Sequence, residues 1–598
     1  MGFMGVSVSW MGRGGQGIWG GVGSHNGCVS DVMGSFSGGV GSGVPADWVA
    51  LVVGPSAAQA WGAPSVPRVA VVGAGVCEVV DVDRVGAVVA GVERGRPRWV
   101  WWEAAGVAEV LARSGVCPGR VWDVAQAHRL IHGGWEAGPG VAWAVAHGLS
   151  LEGVEAPAGD DLLGLVGGGA DAVDVVSGAG YLLPAAAGGT WAVDDARLVK
   201  LAGAVLECAR SQAQLAGGLG PRLVSTVYSE SAAAVVCVEL ERVGLPVDRG
   251  ALLSVIEPLS GDTAALDASV LDLVPDAGRV DLRNPLQVRG LLAGVGIDVP
   301  DTRKWTLEAF RQVHPVVPAL LRWRADERIR TTYGMRWLAE HVGEDDRLRG
   351  RWHPCDGGAG RMTAEAGLHS IPAVLRPGVA AREGWVLVRA DLGQVEPRVL
   401  AAVSGDRAMA AATAADDLYA GVARQLGVDR SHAKVAMLAA MYGQRTGTAA
   451  QALRGLERAF PRAMSVLDWA QRVGVAGGEF RTFGGRLIPT GRLSPGGDQA
   501  RVSGRGRFAR NAIIQGAAAE LFKAWVATVR AVLPSLGGEI VMCLHDELLV
   551  HVPQECAGDA VALVNQALVD AARRWTGGAP VRFVADTQVV RRWSEAKG

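Results

Sequence analysis

Two short acidic segments constrain the fold of this chain most, because each follows an apolar run that predicts a buried strand. The first, Asp391-Leu-Gly-Gln-Val-Glu396, follows Trp385-Val-Leu-Val388, and the second, His545-Asp-Glu547, follows Ile540-Val-Met-Cys-Leu544. A single Asp after a strand is more often a turn former or a helix cap than a ligand. Two such strands can instead deliver carboxylates to one site, so Asp391 and Asp546 are candidate metal ligands.

A stripe of side chains at steps of four lies between these segments and comprises Arg430, Lys434, Leu438 and Tyr442, with Gly443 after it. Residues four apart share one face of a helix. Such a face is usually solvated, with its tyrosine in the core. A helix with two cations in this arrangement can also hold a triphosphate, and the sequence favours that reading.

The order and spacing of these three segments resemble motifs A, B and C of family A DNA polymerases. Four flanking segments agree with the resemblance: Gly360-Arg361-Met-Thr, Ser404-Gly405-Asp406, Phe483-Gly-Gly-Arg486-Leu-Ile-Pro489 and Arg510-Asn511-Ala-Ile-Ile-Gln515-Gly516. One His-Asp-Glu would be common by chance, whereas this series of segments in family order is not. The resemblance covers roughly residues 222–598 and is strongest to the actinobacterial branch of bifunctional 3′–5′ exonuclease/DNA polymerases.

The resemblance implies a DNA-directed DNA polymerase that adds dNTPs to a primer 3′ end by phosphoryl transfer at two Mg²⁺ ions, for which Mn²⁺ can substitute. Asp391 and Asp546 would bridge the ions, the Leu392 carbonyl would complete one shell, and Glu547 would be a supporting carboxylate. Lys434 would pair with the triphosphate and donate a proton to pyrophosphate, while Arg430 contacts the same phosphates.

The same resemblance implies contacts to the sugar and to DNA. Glu396 would sit under the sugar and exclude a 2′-hydroxyl, which favours DNA synthesis. The other nucleotide contacts would be Gln394, Tyr419, Leu438 and Tyr442, and the primer–template contacts Arg361, Arg507, Asn511, Gln515 and His545. The alternative for Arg507, Asn511 and Gln515 is helix capping or core hydrogen bonding.

Several positions depart from the family pattern. Leu392-Gly393 replaces Tyr-Ser, Leu438-Ala439 replaces an aromatic residue and glycine, and Tyr419 replaces a histidine. These changes affect the nucleotide pocket and spare every carboxylate that the metals need.

The fold class implied is an α/β exonuclease-like N-terminal domain followed by an α+β right-hand polymerase. We expect a Gly-rich flexible leader at 1–45, the exonuclease-like domain at 46–221 and a thumb at 222–350. An antiparallel palm at 351–400 and 500–598 would flank helical fingers at 401–499.

The exonuclease-like domain is predicted to be inactive, because its carboxylates are missing. Its first strand, Leu51-Val-Val-Gly-Pro55, has no Asp-x-Glu, and the last motif survives only as Trp191-Ala-Val-Asp-Asp195, with Trp in place of Tyr. Asp123 matches a non-catalytic Asp better than a ligand.

The length of 598 residues and the hydrophobic content of 49% fit a multi-domain intracellular protein. The formal net charge is only −2, so any basic surface that binds nucleic acid must be local. Two arginine clusters are candidates for that surface, although either could be an ordinary solvated face. The first cluster is Arg322, Arg324, Arg328 and Arg330, and the second is Arg481, Arg486, Arg492, Arg501, Arg505, Arg507 and Arg510. The eight Cys form no C-x-x-C pair, which indicates neither zinc nor disulfides. No uninterrupted apolar run is long enough to predict a membrane span.

We therefore expect a monomer in the cytoplasm, associated with the nucleoid, whose partners are primer–template DNA and dNTPs. A catalytically silent DNA-binding protein that retains the polymerase fold is the main alternative. A single-subunit RNA polymerase is disfavoured by Glu396.

Overall fold

The computed structural model of this chain describes residues 47–54, 67–154, 175–183, 195–261, 263–443, 449–493 and 497–596. The predicted leader, residues 1–45, lies outside the described residues, as do residues 191–194 of the predicted nuclease motif.

The N-terminal part is built on a five-stranded sheet. Its strands are β1 (Trp48–Val53), β2 (Arg68–Gly73), β3 (Val76–Asp81), β4 (Arg98–Trp101) and β5 (Val121–Asp123), in the order β3-β2-β1-β4-β5. Strands β1, β2 and β3 pair antiparallel, and β4 runs parallel to both β1 and β5. The helices are α1 (Val85–Glu93), α2 (Ala108–Ser114), α3 (Val124–His132), α4 (Pro139–Ala146) and α5 (Asp195–Leu219), with short 3-10 turns at Ala104–Val107 and Leu151–Gly153.

Alternate residues of β1 face two separate cores. Ala50 and Val52 pack in one, and Val49 and Leu51 pack in the other. A strand covered on both faces has to be apolar throughout, which explains its unbroken hydrophobic run. The described residues of this part therefore form an α/β arrangement, while its likeness to an exonuclease stays a prediction.

The segment predicted as a thumb is mainly helical. It contains α6 (Pro221–Val243), α7 (Arg249–Ile256), α8 (Thr263–Leu271), α9 (Pro285–Gly294), α10 (Lys304–Glu308), α11 (Val316–Thr332) and α12 (Met335–His341), with β6 (Leu245–Pro246) paired to β7 (Arg347–Leu348) and 3-10 turns at Glu257–Leu259 and Pro275–Ala277. Residues between Val270 and Trp323 form their own core. Helix α6 instead joins the N-terminal and C-terminal parts, since Val227 packs in an N-terminal core and Val236 in the main one.

The remaining strands are β8 (Trp352–Asp356), β9 (Arg361–Ala364), β10 (Trp385–Leu392), β11 (Glu479–Arg481), β12 (Leu487–Pro489), β13 (Glu539–Leu544), β14 (Glu547–Pro553) and β15 (Ala585–Val590). The remaining helices are α13 (Val395–Ser404), α14 (Arg407–Ala412), α15 (Leu418–Leu426), α16 (Arg430–Tyr442), α17 (Ala449–Ala459), α18 (Pro461–Val475), α19 (Thr490–Leu493), α20 (Gln499–Val532) and α21 (Ala557–Thr576). Short 3-10 turns lie at Leu368–Ser370, Ala373–Gly378, Leu533–Leu536, Gln554–Cys556 and Trp593–Glu595.

An antiparallel sheet in the order β13-β14-β10-β15 forms the centre of the C-terminal part. Both acidic segments belong to it: β10 carries the first at its end, and the turn between β13 and β14 carries the second. Helix α21 packs on this sheet, and α20 packs against α6, α13, α18 and α21. The antiparallel sheet predicted for these segments is confirmed.

Helix α16 is the predicted basic helix, with ends that the sequence explains. The Asp429 side chain accepts a hydrogen bond from the backbone amide of His432 at 2.9 Å, which caps the first turn. Gly443 ends the helix with φ +70°, a left-handed conformation that a glycine adopts without strain. Its positions 430, 434, 438 and 442 therefore do lie on one helix.

Buried charges connect three parts of the chain. Lys523 of α20 donates through Nζ to Glu230 Oε2 of α6 at 2.6 Å and to the Gly360 carbonyl at 2.7 Å. The Arg486 guanidinium lies 2.7 Å from the same carboxylate. Because none of these three side chains is more than a few per cent exposed, one carboxylate compensates two buried cations.

Among the described residues, two helices are long and apolar enough to cross a membrane by length and hydropathy alone, Pro221–Val243 and Gln499–Leu536. In each, 67% of the apolar window is buried inside the protein, as in the core helices of a folded domain. The expected absence of a membrane span stays a prediction.

Candidate active site

One end of the antiparallel sheet collects carboxylates from neighbouring strands. Asp391 of β10 pairs in register with Glu547 of β14 and with Asp586 of β15. Asp546 lies in the adjoining turn, where its carbonyl accepts a hydrogen bond from the Leu392 amide at 3.0 Å. The structure thus brings the two predicted metal ligands to the same end of the sheet, with Glu547 beside them.

Burial and neighbouring negative charge both raise the pKa values of these acids. Burial, together with the charge of Asp546, raises the pKa of Asp391 to about 6. Burial also raises the pKa of Asp546, and the charge of Glu547 adds to the shift. Negative charges crowded in a partly desolvated site favour protonation unless a cation compensates them.

This donor set fits a hard divalent ion, because the groups that converge are oxygens. Within the described ranges no three His, Cys, Asp or Glu side chains form a complete metal-holding group. An ion held by Asp391 and Asp546 would therefore take its remaining ligands from backbone carbonyls, water and substrate oxygens, which is usual for Mg²⁺ at phosphoryl-transfer sites.

A cavity of about 280 Å³ opens beside the acids, between the start of α13 and helices α16 and α20. It is lined by ten of the residues that the sequence predicted: Arg361, Leu392, Gln394, Glu396, Tyr419, Leu438, Tyr442, Gln515, His545 and Asp546. Segments up to 185 positions apart in the chain are therefore gathered around one space.

Glu396 is held in place within this cavity. Its carboxylate accepts hydrogen bonds from the side chains of Gln515 and Tyr442, which tend to lower its pKa. Burial and the charge of Asp546 outweigh them, so the pKa of Glu396 is raised. Tyr442 is 42% exposed, and its hydroxyl forms the hydrogen bond to the Glu396 carboxylate.

His545 and Arg361 line the same cavity, and His545 directly precedes the predicted metal ligand Asp546. His545 has φ +55°, which is uncommon for a residue other than glycine and fixes the tight turn that presents Asp546. Burial lowers the pKa of His545, and the nearby charge of Arg361 adds to the effect. The two predicted DNA contacts are thus neighbours.

Two predicted nucleotide contacts, Gln394 and Arg430, form hydrogen bonds with residues at the start of α15. Gln394 Oε1 accepts a hydrogen bond from the Leu418 amide at 2.8 Å, and its Nε2 donates to Asp417 at 3.2 Å. Asp417 also accepts from Arg430 Nε at 2.5 Å. Arg430 therefore faces Asp417, with its guanidinium 5.9 Å from the centre of the Tyr419 ring.

The other predicted residues lie outside the cavity lining. Lys434, Arg430 and Arg507 are exposed, and Asn511 is partly exposed. Lys434 forms no ion pair with any acidic side chain that the structure describes, so its ammonium is available to an anionic ligand. Asp391 and Glu547 lie in the sheet beside the cavity.

Three residues of this site were missed by the sequence analysis. Arg389 lies two positions before Asp391 on the same strand face, where its Nη2 donates to Asp391 Oδ2 at 2.7 Å. Trp593 donates through Nε1 to Glu547 Oε1 at 2.6 Å. Asp586 is the third. The two-residue period of a strand identifies Arg389, whereas the register of β15 gives no signal in the sequence.

The second arginine cluster is not one continuous basic surface, and that prediction is wrong for two members. Arg486 and Arg510 are each 3% exposed. Arg510 donates to the Ala440 carbonyl at 2.6 Å and to Asp468 at 2.6 Å, which fixes the end of α16 against α18 and α20. Arg492, Arg501 and Arg507 remain exposed.

Asp123 of the N-terminal part is fully buried. It accepts hydrogen bonds from Trp101 Nε1 at 3.1 Å and from the Ala104 amide at 2.7 Å, and burial raises its pKa to about 7. Its side chain also accepts a hydrogen bond from the Gln126 amide and so caps α3, while its non-catalytic role stays a prediction. Asp195, which ends the predicted last motif, pairs with Arg68 at 2.7 Å.

Comparisons with known proteins agree with this geometry. DNA polymerase I, thermostable, of Thermus filiformis is 29% identical over 327 residues, covering 50% of this chain and 38% of that protein. DNA polymerase I of Chloroflexus aurantiacus is 28% identical over 293 residues, 44% of this chain and 31% of that protein. The chain thus spans less than half the length of these relatives.

A solved structure shares the fold. The POL domain of Pol1 from M. smegmatis, in complex with DNA primer-template and dNTP, superposes with a TM-score of 0.66 at 21% identity, over 92% of this chain and 95% of that one. The sequence model of DNA polymerase family A matches residues 295–595, just over half of the chain and all of its acidic and basic motifs. The chain therefore belongs to DNA polymerase family A.

Proposed function

We propose that this chain is a template-directed DNA polymerase that extends a primer 3′ end with dNTPs. The observation that carries the proposal is the meeting of Asp391 and Asp546 at one sheet end, beside a cavity whose carboxylate, Glu396, is fixed by Tyr442 and Gln515. Family membership supports the same activity.

Two Mg²⁺ ions, or Mn²⁺ in their place, would be held by Asp391, Asp546 and the Leu392 carbonyl; when bound they activate the primer hydroxyl and neutralise the triphosphate. Glu547 is a supporting carboxylate, which Trp593 and Arg389 orient. The protein side chains would position the reacting groups and compensate their charge, which is what phosphoryl transfer requires.

The triphosphate would lie along α16. Lys434 is exposed there and can bind the phosphates and donate a proton to the pyrophosphate that leaves. Arg430 uses its Nε on Asp417 and retains four other N–H donors, so it can bind phosphate from this position or after release. Gln394 and Tyr419 complete the nucleotide end of the cavity.

Primer–template DNA would contact Arg361 and His545 at the metal side, with Arg507, Asn511 and Gln515 along α20. These contacts test base-pair shape without reading sequence. We further propose the domain roles expected from the sequence: a thumb at 222–350, a palm at 351–400 and 500–598, and fingers at 401–499. The protein would act as a cytoplasmic monomer at the nucleoid.

Primer extension with dNTPs and with rNTPs, run beside primer–template binding, tests the proposal. We expect templated incorporation of dNTPs. The silent DNA-binding alternative predicts binding without incorporation, and preferential use of rNTPs would indicate an RNA polymerase.

The sugar pocket yields a further prediction. Leu438 lines the cavity at a position where the family pattern implies an aromatic residue. A leucine cannot supply a hydroxyl in place of a missing 3′-hydroxyl, so dideoxynucleotides should be poor substrates. Leu438→Tyr should raise dideoxynucleotide use and Glu396→Ala should raise ribonucleotide use, each by on the order of 1–3 kcal/mol of discrimination. The measurement is kcat/KM for the three sugar types. Unchanged dideoxynucleotide selection in Leu438→Tyr would refute the placement of α16 against the sugar.

The N-terminal part is expected to lack nuclease activity. A 3′-mismatched primer should keep its length when the purified protein is incubated with Mg²⁺ or Mn²⁺, because Asp123 is a buried cap and Asp195 is paired with Arg68. Gel analysis of the primer checks this. Stepwise shortening that persists in the Asp391→Ala/Asp546→Ala double variant would disprove the prediction.

A further inference from the structure

The acidic end of the sheet contains a cation of its own. Arg389 has a side chain only 7% exposed and lies on β10, the central strand. Its guanidinium is 2.7 Å from Asp391 Oδ2, 3.1 Å from Glu547 Oε1 and 3.8 Å from Asp586 Oδ2. One fixed positive charge therefore faces carboxylates from three adjacent strands.

The contacts of Arg389 and Trp593 also fix the orientation of the Asp391 and Glu547 carboxylates. Glu547 is held from two sides, by Arg389 and by Trp593 Nε1 at 2.6 Å. Asp391 accepts a hydrogen bond from Arg389 Nη2 through its Oδ2. A planar guanidinium fixes carboxylate orientation more strictly than an ammonium does, because its donors form a rigid fork.

The same charge has an electrostatic consequence for any metal ion. A cation that approaches Asp391 must enter a field already weakened by a guanidinium within hydrogen-bond distance of that carboxylate. Without Arg389, three carboxylates would face the ion uncompensated. With Arg389, the site is pre-aligned yet binds a free ion less tightly.

We propose that Arg389 is a positioning residue and internal counter-ion, which keeps Asp391 and Glu547 aligned and lowers the affinity of the empty site for divalent cations. The inference rests on the proposed polymerase function and deepens it. Its consequence is that the ions enter mainly with the nucleotide, whose phosphates supply the missing negative charge.

The test measures Mn²⁺ binding to the protein without nucleotide by electron paramagnetic resonance, beside primer extension. Arg389→Met removes the charge and keeps the length of the side chain. We expect it to bind Mn²⁺ more tightly, on the order of tenfold, and to extend primers more slowly. Arg389→Lys keeps the charge and loses the fork, so its Mn²⁺ affinity should stay near that of the unmodified protein while kcat falls.

Asp586→Asn provides a second variant that should fold, since its side chain is 60% exposed. It removes a negative charge that Arg389 compensates, so Mn²⁺ binding should weaken, opposite to the effect of Arg389→Met. Arg382→Met is the matched control, because Arg382 precedes the same strand and stacks on Trp385 with its guanidinium 3.5 Å from the ring centre. It should leave Mn²⁺ affinity unchanged.

Each outcome bears on a separate claim. Equal or weaker Mn²⁺ binding in Arg389→Met, in a protein that still binds primer–template, overturns the inference and leaves the polymerase proposal intact. If Arg389→Met does not fold, unchanged or tighter Mn²⁺ binding in Asp586→Asn overturns it instead. Failure of the unmodified protein to extend a primer would refute the proposed function, whatever the Mn²⁺ affinities are.

Discussion

Asp391→Ala and Asp546→Ala are each expected to abolish primer extension, to below about 1% of the activity of the unmodified protein. Both carboxylates lie at the acidic end of the sheet, and each substitution removes one of the two side chains that would bridge the metal ions. Neither removes a cation that faces DNA, so primer–template binding should remain largely intact. Single-turnover extension and a binding titration on the same samples measure both effects.

A matched control is Asp559→Ala. Asp559 is exposed in the first turn of α21, which follows the opposite end of β14 from Glu547. This variant should extend primers normally. Residual extension above about 1% in Asp391→Ala or Asp546→Ala would show that the metal ligands are assigned wrongly.

Glu230→Gln is expected to destabilise the protein by about 3–5 kcal/mol, the cost of leaving buried charge without its partner. Glu230 is fully buried and pairs with both Lys523 and Arg486, so neutralising it removes the carboxylate that contacts both buried cations. The effect should appear as a lower denaturant midpoint in unfolding followed by tryptophan fluorescence. Because Lys523 also holds the Gly360 carbonyl, extension should weaken as well.

The control for this substitution is Glu340→Gln, which removes the exposed ion pair with Arg336. Surface pairs of this kind contribute little, so the midpoint should stay unchanged. If the denaturant midpoint of Glu230→Gln equals that of the control, then water or a structural rearrangement compensates the buried charges of Lys523 and Arg486.

The sequence predicted those parts of the site that rest on local pattern. Asp391 and Asp546 follow apolar strands, and the stripe from Arg430 to Tyr442 follows helical spacing between an Asp cap and a Gly stop. Each of these signals is contained within a short stretch of chain. Local spacing therefore sufficed to place these residues on the right elements.

Features that depend on pairing between distant segments could not be predicted in this way. The register that puts Asp586 opposite Asp391 is set by β15, almost 200 positions away. The burial of Arg486, which lies between β11 and β12, likewise depends on Glu230 of the distant helix α6. An arginine in sequence looks the same whether it faces solvent or compensates an internal carboxylate, so charge counting overestimated the basic surface.

The domain boundary predicted near residue 221 coincides with a change of helix, but the helix that begins there packs in two cores. The chain does change elements there, from α5 to α6 at Gly220 and Pro221. Yet α6 packs in cores on both sides, with Val227 towards the N-terminal sheet and Leu240 towards the main core. The family resemblance placed a boundary at the start of this helix, but it could not show that two cores share the helix.

Single-nucleotide incorporation on four primer–templates, each presenting a different template base, tests the central claim most directly. With Mg²⁺ and each dNTP in turn, we predict that only the complementary dNTP is added efficiently, and that Asp391→Ala adds none. Binding of all four primer–templates with no incorporation in Mg²⁺ or Mn²⁺, or addition that ignores the template base, would contradict the account.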